Sequence, residues 1–340
     1  MKYPLPLKKE DIIGITAPSM GVLGVISKKI DNSIKKLEMM GYKCVETDSV
    51  RNISKLTSAL PEIRAQEFMS LYCDEKVKAI IPPWGGELLM DMLPFLNFDL
   101  LKKLPPKWIM GFSDTSMLLF VLMLKLDMAT LHGPNLLDFG SSSIDDSVLA
   151  SLDIMAKNNE KFIQQNLEYY QKEWFEITDT TFPPYNLTEK VIWKSLIEDL
   201  NYKFRGRLIG GNLDVICKLI GTPYAPVEEY IDKYYDDGFI WYFESCEMNA
   251  ADVYRTLLQM KMSGWFVNCK GILYGRSEGL DAIDDFTFLD ALTFAFKDNN
   301  IPIIYNVDIG HLPPQLTLIN GSYAEVFYEN GRGTIKQQMV

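Results

Sequence analysis

Residues 107–120 read KWIMGFSDTSMLLF. Trp108, Ile109 and Met110 form an apolar run without alternation, which is how a strand covered on both faces reads. MLLFVLML at 117–124 is longer, and as a run closed off before Asp127 it reads as a buried helix. Between them Gly111, Phe112, Ser113 and Asp114 must turn the chain sharply from strand to helix. A strand that feeds directly into a helix is half of a βαβ unit, so this stretch predicts a parallel sheet.

Working outward, DIIGITAPS, SKKIDNSIKKLEMMG, YKCVETDS, LPEIRAQEFMSLYCD, VKAIIPPW, GGELLMDML and MATLHGP alternate between strand and helix character as far as residue 135. The amino-terminal part is therefore expected to be a doubly wound α/β domain spanning 1–150. Its functional loops belong at the carboxyl ends of the strands, where both Gly85-Gly86 and Ser113 fall. Residues 151–200 lose this regularity and are expected to form a linker and a candidate lid loop. Regularity returns with RGRLIGG, NLDVICKLIG, GFIWYFES, MNAADVYRTLLQMKMSG, KGILYGR, FTFLDALTFAF and IPIIYNV. Residues 201–340 thus predict a mixed α/β domain. Its tail, QLTLI and SYAEVFYE around Asn320-Gly321, reads as an antiparallel hairpin closed by a type I′ turn.

Composition excludes several functions. The chain has 340 residues, 34 Lys and Arg against 45 Asp and Glu, and a formal charge of −11, with no basic cluster. A nucleic-acid partner would be repelled rather than steered. No apolar run approaches the ~20 residues that span a bilayer, and MKYPLPLKKED carries no secretory apolar region, so a cytoplasmic protein without membrane contact is expected. Cys44, Cys73, Cys217, Cys246 and Cys269 are scattered, which suits buried thiols in a reducing compartment better than disulfides or zinc. There are two histidines, His132 and His311, and no spacing that reads as a metal site or a nucleotide phosphate loop.

Ser113 has two readings. A side chain on a strand-to-helix turn stands exposed above the sheet beside a helix amino terminus, which suits a nucleophile and an oxyanion. Ser113, Asp114 and Thr115 are equally good helix caps, and Thr115 stands where G-x-S-x-G has its second glycine. Gly85-Gly86 is either an ordinary turn or a place where a backbone N–H approaches a reacting oxygen closely. A nucleophile needs a base and the base an orienting acid. His311, after the strand IPIIYNV, and His132, in TLHGP, both qualify as base or as structural histidines. Glu244 ends the apolar run FIWYF, a costly position for a carboxylate without a partner; Glu247 and Asp308 are the alternatives.

In order and spacing these segments resemble the serine LD-carboxypeptidases, the family that includes muramoyltetrapeptide carboxypeptidases and microcin C immunity hydrolases. The resemblance rests on ITAPS at 15–19, RAQEFMSLYCDEKVKAI at 64–80, Gly85-Gly86, GFSD at 111–114, GRLIGGNL at 206–213, GTPY at 221–224, FES at 243–245 and Gly310-His311. It implies a two-domain hydrolase with Ser113 as nucleophile, His311 as general base and Glu244 orienting the imidazole. It further implies an oxyanion hole from the backbone N–H groups of Asp114 and Gly86, with Gly85 and Asn212 facing the substrate, no cofactor or metal, and a homodimer. Many members carry Leu-Glu-Asp where this chain has Phe243-Glu244-Ser245, and INGS at 319–322 replaces part of their proline and glycine stretch. The long 140–200 segment resembles the immunity-type members, in which a loop aromatic stacks on a nucleobase, and Trp174 and Trp193 are the candidates here.

The implied activity is cleavage of an amide next to a carboxy-terminal D-amino acid of a murein peptide. The alternatives are hydrolysis of a peptidyl- or aminoacyl-nucleotide, and a non-catalytic binding protein on the same scaffold. The small peptide or peptidyl-nucleotide would present a carboxylate, for which Arg205, Arg207 and Arg276 are equal candidates.

Overall fold

The computed structural model describes residues 1–157, 161–173, 181–197, 200–277, 279–298 and 300–340. The described residues fall into two compact units. The first is drawn from Met1–Glu160, Trp174–Tyr185 and Thr317–Ile319, the second from Lys161–Glu173, Asn186–Leu316 and Asn320–Val340. No helix among them is long and apolar enough to cross a membrane.

In the first unit Ile12–Ile15, Lys43–Glu46, Val77–Ile80, Trp108–Gly111 and Thr130–His132 pair in parallel. Across the sheet the order is Leu318–Asn320, Thr130–His132, Trp108–Gly111, Val77–Ile80, Ile12–Ile15, Lys43–Glu46. Strand order therefore reverses beside Ile12–Ile15, and the loops that leave this strand and Val77–Ile80 flank the switch point, where doubly wound sheets bind ligands. Those loops carry Ser19 and Gly85-Gly86. The helix Thr115–Leu126 has every residue but Lys125 buried, which explains its apolar sequence. Residues 87–93 are expected to be an α-helix, but the chain forms instead a 3-10 helix over Leu89–Phe95 that contains Pro94, with Glu87 and Leu88 outside it. Proline lacks the N–H an α-helix needs there and its ring strikes the preceding turn.

The second unit is built on an eight-stranded sheet. Four strands, Tyr202–Asn212, Phe239–Glu244, Cys269–Gly275 and Ile303–Val307, pair in parallel. Tyr323–Glu329, Arg332–Gln338 and Lys161–Gln165 extend it antiparallel on one side, and Lys194–Ser195 closes the other. Residues from the 151–200 segment thus supply both edge strands. The apolar heart of this unit is an aromatic stack of Phe243, Trp241 and Trp265, ring centroids 5.5 and 5.7 Å apart.

The tail differs from expectation. Asn320-Gly321 closes no hairpin, because the runs on either side pair with different sheets: Leu318–Asn320 edges the first, while Tyr323–Glu329 lies in the second. The hairpin turn is Asn330-Gly331, between Tyr323–Glu329 and Arg332–Gln338, where both residues have positive φ (49° and 81°) as a type I′ turn requires. Asn320 is instead fully buried and accepts a hydrogen bond from the Tyr242 hydroxyl at 2.7 Å.

Candidate active site

In the first unit the fully buried strand Trp108–Gly111 ends at a turn whose central residue, Ser113, has φ 62°. A non-glycine residue in the left-handed region costs on the order of 1–2 kcal/mol and persists where the surroundings enforce it. Here Phe112 N–H donates to Asn135 Oδ1 (3.3 Å) before the turn and Ser116 N–H to Ser113 O (2.8 Å) after it. Ser113 itself is half-buried and leads into the helix Thr115–Leu126. Gly85 lies against it: a Cβ on Gly85 would stand 2.7 Å from Ser113 Oγ and 3.2 Å from Asp114 N. The Gly85 carbonyl accepts from Met20 N–H at 3.4 Å, so the N–H of the same planar peptide, that of Gly86, points the opposite way.

His132, the histidine of this unit, is fully buried on its strand, with Nδ1 3.3 Å from Ser116 Oγ and its ring edge-on to Phe112. A side chain enclosed in this way packs the helix against the sheet and is out of reach of a substrate, which removes it as the alternative base.

In the second unit the ends of two parallel strands set the chemistry. Asn212 and Glu244 are register partners, side by side at the carboxyl ends of Tyr202–Asn212 and Phe239–Glu244. Glu244 is wholly buried, and its Oε2 lies 2.7 Å from Nδ1 of His311, whose side chain keeps 17% of its surface exposed. Gly310 makes this approach possible. It has φ 100°, and a Cβ there would stand 2.7 Å from both Glu244 Cβ and Oε2. Burial works against the imidazolium, but the adjacent Glu244 carboxylate, with the Cys246 thiol, outweighs it, and the His311 pKa is raised well above its usual 6.5. Cys246 moves upward too, because burial outweighs the nearby imidazole. Asn212 is 1% exposed, directs Nδ2 towards Cys246 Sγ at 4.0 Å, and has no hydrogen-bond partner at Oδ1 among the described residues.

The other candidate acids are differently engaged. Asp308 is buried in an ion pair with Arg276 and accepts from Trp193 Nε1 (2.7 Å) and Leu167 N–H (3.1 Å). Glu247 is exposed, and its backbone N–H donates to Asp214. Arg276 also donates to the carbonyls of Leu312 (3.2 Å) and Pro314 (3.0 Å), which bracket the turn after His311, and its guanidinium lies over the Tyr170 ring. Arg207 is held by Asp237 and Gly321 O. Both buried arginines are thus structural, while Arg205 stands exposed on its strand.

Trp193 corrects an expectation. It is fully buried, bonded to Asp308, and a Cβ on Gly333 would fall 1.9 Å from its ring, so it is a core side chain rather than a stacking platform. Trp174 lies outside the described residues. Two further groups escaped the sequence reading, the Asp114 side chain with its partner Ser19, and Arg64, a fully buried arginine inside an amphipathic helix. Their signal was present in ITAPS, GFSD and the RAQEF run, but residue type alone gave them no role.

This chain belongs to the LD-carboxypeptidase family. Residues 13–133 match its N-terminal domain and residues 205–326 its C-terminal domain. Among curated relatives, the microcin C7 self-immunity protein MccF of Escherichia coli is 25% identical over 98% of this chain and 95% of its own length. The "Probable murein peptide carboxypeptidase" of Bacillus subtilis is 26% identical over 79% of this chain and 73% of its own. Among solved structures, MccF in complex with glutamyl sulfamoyl guanosine shares the fold with a TM-score of 0.85 at 24% identity, covering 99% of this chain and 98% of that one. The muramoyltetrapeptide carboxypeptidase from Oxalobacter formigenes shares it with 0.74 at 21% identity, over 96% and 99%.

Proposed function

We propose that this protein is a serine hydrolase of the LD-carboxypeptidase type that removes a carboxy-terminal D-amino acid from a murein peptide. The observation that carries the reading is the 2.7 Å pair of His311 Nδ1 and Glu244 Oε2 at the end of a buried strand. An imidazole held by a buried carboxylate is the base half of a catalytic triad. Ser113 on its strained turn is the nucleophile half. With Nδ1 paired to Glu244, Nε2 is the nitrogen that serves as base once the imidazole is neutral. It takes the Ser113 proton as Oγ attacks the amide carbon, and the N–H groups of Asp114 and Gly86 receive the oxyanion. The intermediate collapses by returning that proton to the leaving amine, and water then hydrolyses the acyl-enzyme by the same route. Asn212, the register partner of Glu244 with a buried acceptor that has no hydrogen-bond partner among the described residues, is the group most suited to bind a substrate N–H.

A second reading, hydrolysis of an aminoacyl- or peptidyl-nucleotide, is favoured by one observation. The match to the immunity protein runs over 98% of this chain, whereas the murein enzyme of Bacillus subtilis matches 79%. The test is to incubate the protein and its Ser113→Ala variant with a murein L,D-tetrapeptide and an aminoacyl sulfamoyl adenosine and follow both by mass spectrometry. Release of D-alanine by the unmodified protein alone is expected. Cleavage of the nucleoside alone replaces the first reading with the second, and turnover of neither overturns both.

A further inference from the structure

Asp114 supplies a backbone N–H to the oxyanion site proposed above, but its side chain does something the reaction does not require of it. It starts the helix Thr115–Leu126 without making a side-chain cap hydrogen bond to that helix. Its Oδ2 reaches outward and accepts from Ser19 Oγ at 2.5 Å and from Leu89 N–H at 2.9 Å. The residue is 1% exposed, and its second oxygen has no hydrogen-bond partner among the described residues. A carboxyl buried at this cost and not used as a cap calls for another explanation.

The two donors lie on the loops that flank the switch point of the sheet. Ser19 follows Ile12–Ile15, and Leu89 follows Gly85-Gly86. The glycine pair is layered between Ser19 and Ser113. A Cβ on Gly86 would stand 2.4 Å from Ser19 Oγ, as one on Gly85 would stand 2.7 Å from Ser113 Oγ. Arg64 ties the same loops again: its Nη1 donates to Pro18 O (2.8 Å) and Leu88 O (2.9 Å), each the residue just before an Asp114 partner.

We propose that the Asp114 side chain is a positioning group, which through Ser19 and Leu89 fixes the glycine pair above Ser113 so that the oxyanion-binding N–H groups are in place before substrate arrives. This rests on the serine-hydrolase reading. Preorganised donors stabilise a transition state because no reorganisation remains to be done during reaction. Losing this tie therefore slows the attack step and leaves the initial encounter with the ligand unchanged.

An alkyl fluorophosphonate tests this without knowledge of the substrate. Ser113 Oγ bonds to phosphorus, fluoride leaves, the serine proton passes to His311, and the phosphoryl oxygen occupies the oxyanion site. The expected result is a loss in the maximal labelling rate of about 100-fold in Asp114→Ala and roughly tenfold in Ser19→Ala, with the half-saturating concentration unchanged. Asp114→Asn, whose amide oxygen accepts the same two hydrogen bonds, recovers most of the Asp114→Ala loss. Folded Asp114→Ala and Ser19→Ala proteins that label at the unmodified rate overturn the proposal and leave the serine reading standing. An Asp114→Asn protein as slow as Asp114→Ala overturns it too. Ser19→Ala, which deletes one hydrogen bond, decides alone if Asp114→Ala does not fold. Unmodified protein that takes no label overturns the serine reading and this proposal with it.

Discussion

Replacing Gly310 by alanine tests how tightly the backbone before His311 is fitted to Glu244. The new Cβ would stand 2.7 Å from Glu244 Oε2, where ordinary contact begins near 3.4 Å, so something must move by about 0.7 Å. Glu244 is wholly buried behind Phe243 and beside Asn212 and has little room to retreat. If the carboxylate moves along the line to His311, its 2.7 Å hydrogen bond stretches to about 3.4 Å, outside normal range. If the backbone moves instead, His311 moves with it. A φ of 100° costs an L side chain roughly 1–3 kcal/mol in addition. Displacements of this size cost on the order of 100-fold in rate. The expected variant therefore folds with a lowered melting temperature, reacts with a fluorophosphonate about 100-fold more slowly, and loses the upward shift of the His311 pKa. Melting curves by circular dichroism and labelling rates from pH 5 to 9 measure all three. A folded Gly310→Ala protein with unmodified rate and pH profile would refute the fitted contact between Gly310 and Glu244 as a determinant of the imidazole's state.

Other perturbations give distinct readouts. Because the Glu244 carboxylate raises the folded His311 pKa above its usual 6.5 and the imidazole must be neutral to act as base, labelling rates should rise through an acid limb displaced above pH 6.5, and Glu244→Gln should move the limb down. The same shift implies that the Glu244–His311 pair stabilises the fold fully below pH 6.5 and that this contribution disappears as pH rises through the folded pKa, which chemical denaturation of Glu244→Gln against the unmodified protein will measure. Burial pushes the Asp114 carboxyl up from 3.8 to about 6, against the opposing hydrogen bonds of Ser19 and Leu89, so its ionisation costs about 3 kcal/mol of stability between pH 4 and 7, and Asp114→Asn should gain on the unmodified protein by up to that amount over the same interval. Arg276→Lys cannot serve Asp308, Leu312 O and Pro314 O together and should lose roughly 2–4 kcal/mol in denaturant titration. Ser113→Gly should be more stable than Ser113→Ala by about 1 kcal/mol, since only glycine is relaxed at φ 62°.

What could be read from the sequence follows from what is local. Buried parallel strands and their crossover helices leave continuous apolar runs and 3.6-residue periodicity, and these placed the first sheet and the parallel centre of the second. Pro94 sat in plain view inside a helical pattern, and the helix yielded to it. Pairings between distant segments leave no periodic trace. The edge strands Lys161–Gln165 and Lys194–Ser195 are five and two residues long, and their partners lie more than a hundred positions away. Asn320-Gly321 and Asn330-Gly331 carry the same dipeptide, and only the pairing of their flanks shows which one closes a hairpin. Glu244 and His311, 67 positions apart, were nominated from strand ends and resemblance, and the register of Asn212 with Glu244 was not. Burial is the other quantity that residue type does not reveal. It separates His132 from His311 and turns Trp193 from a surface aromatic into a core one.

The central claim is that Ser113 is a nucleophile served by the imidazole and carboxylate of His311 and Glu244. The most direct measurement is peptide mapping by mass spectrometry of the fluorophosphonate-treated protein beside its Ser113→Ala and His311→Ala variants. The account predicts a single adduct on Ser113, none in Ser113→Ala, and labelling slowed by about 1,000-fold or more in His311→Ala. An adduct on another residue, or a His311→Ala protein that labels as fast as the unmodified one, would contradict it.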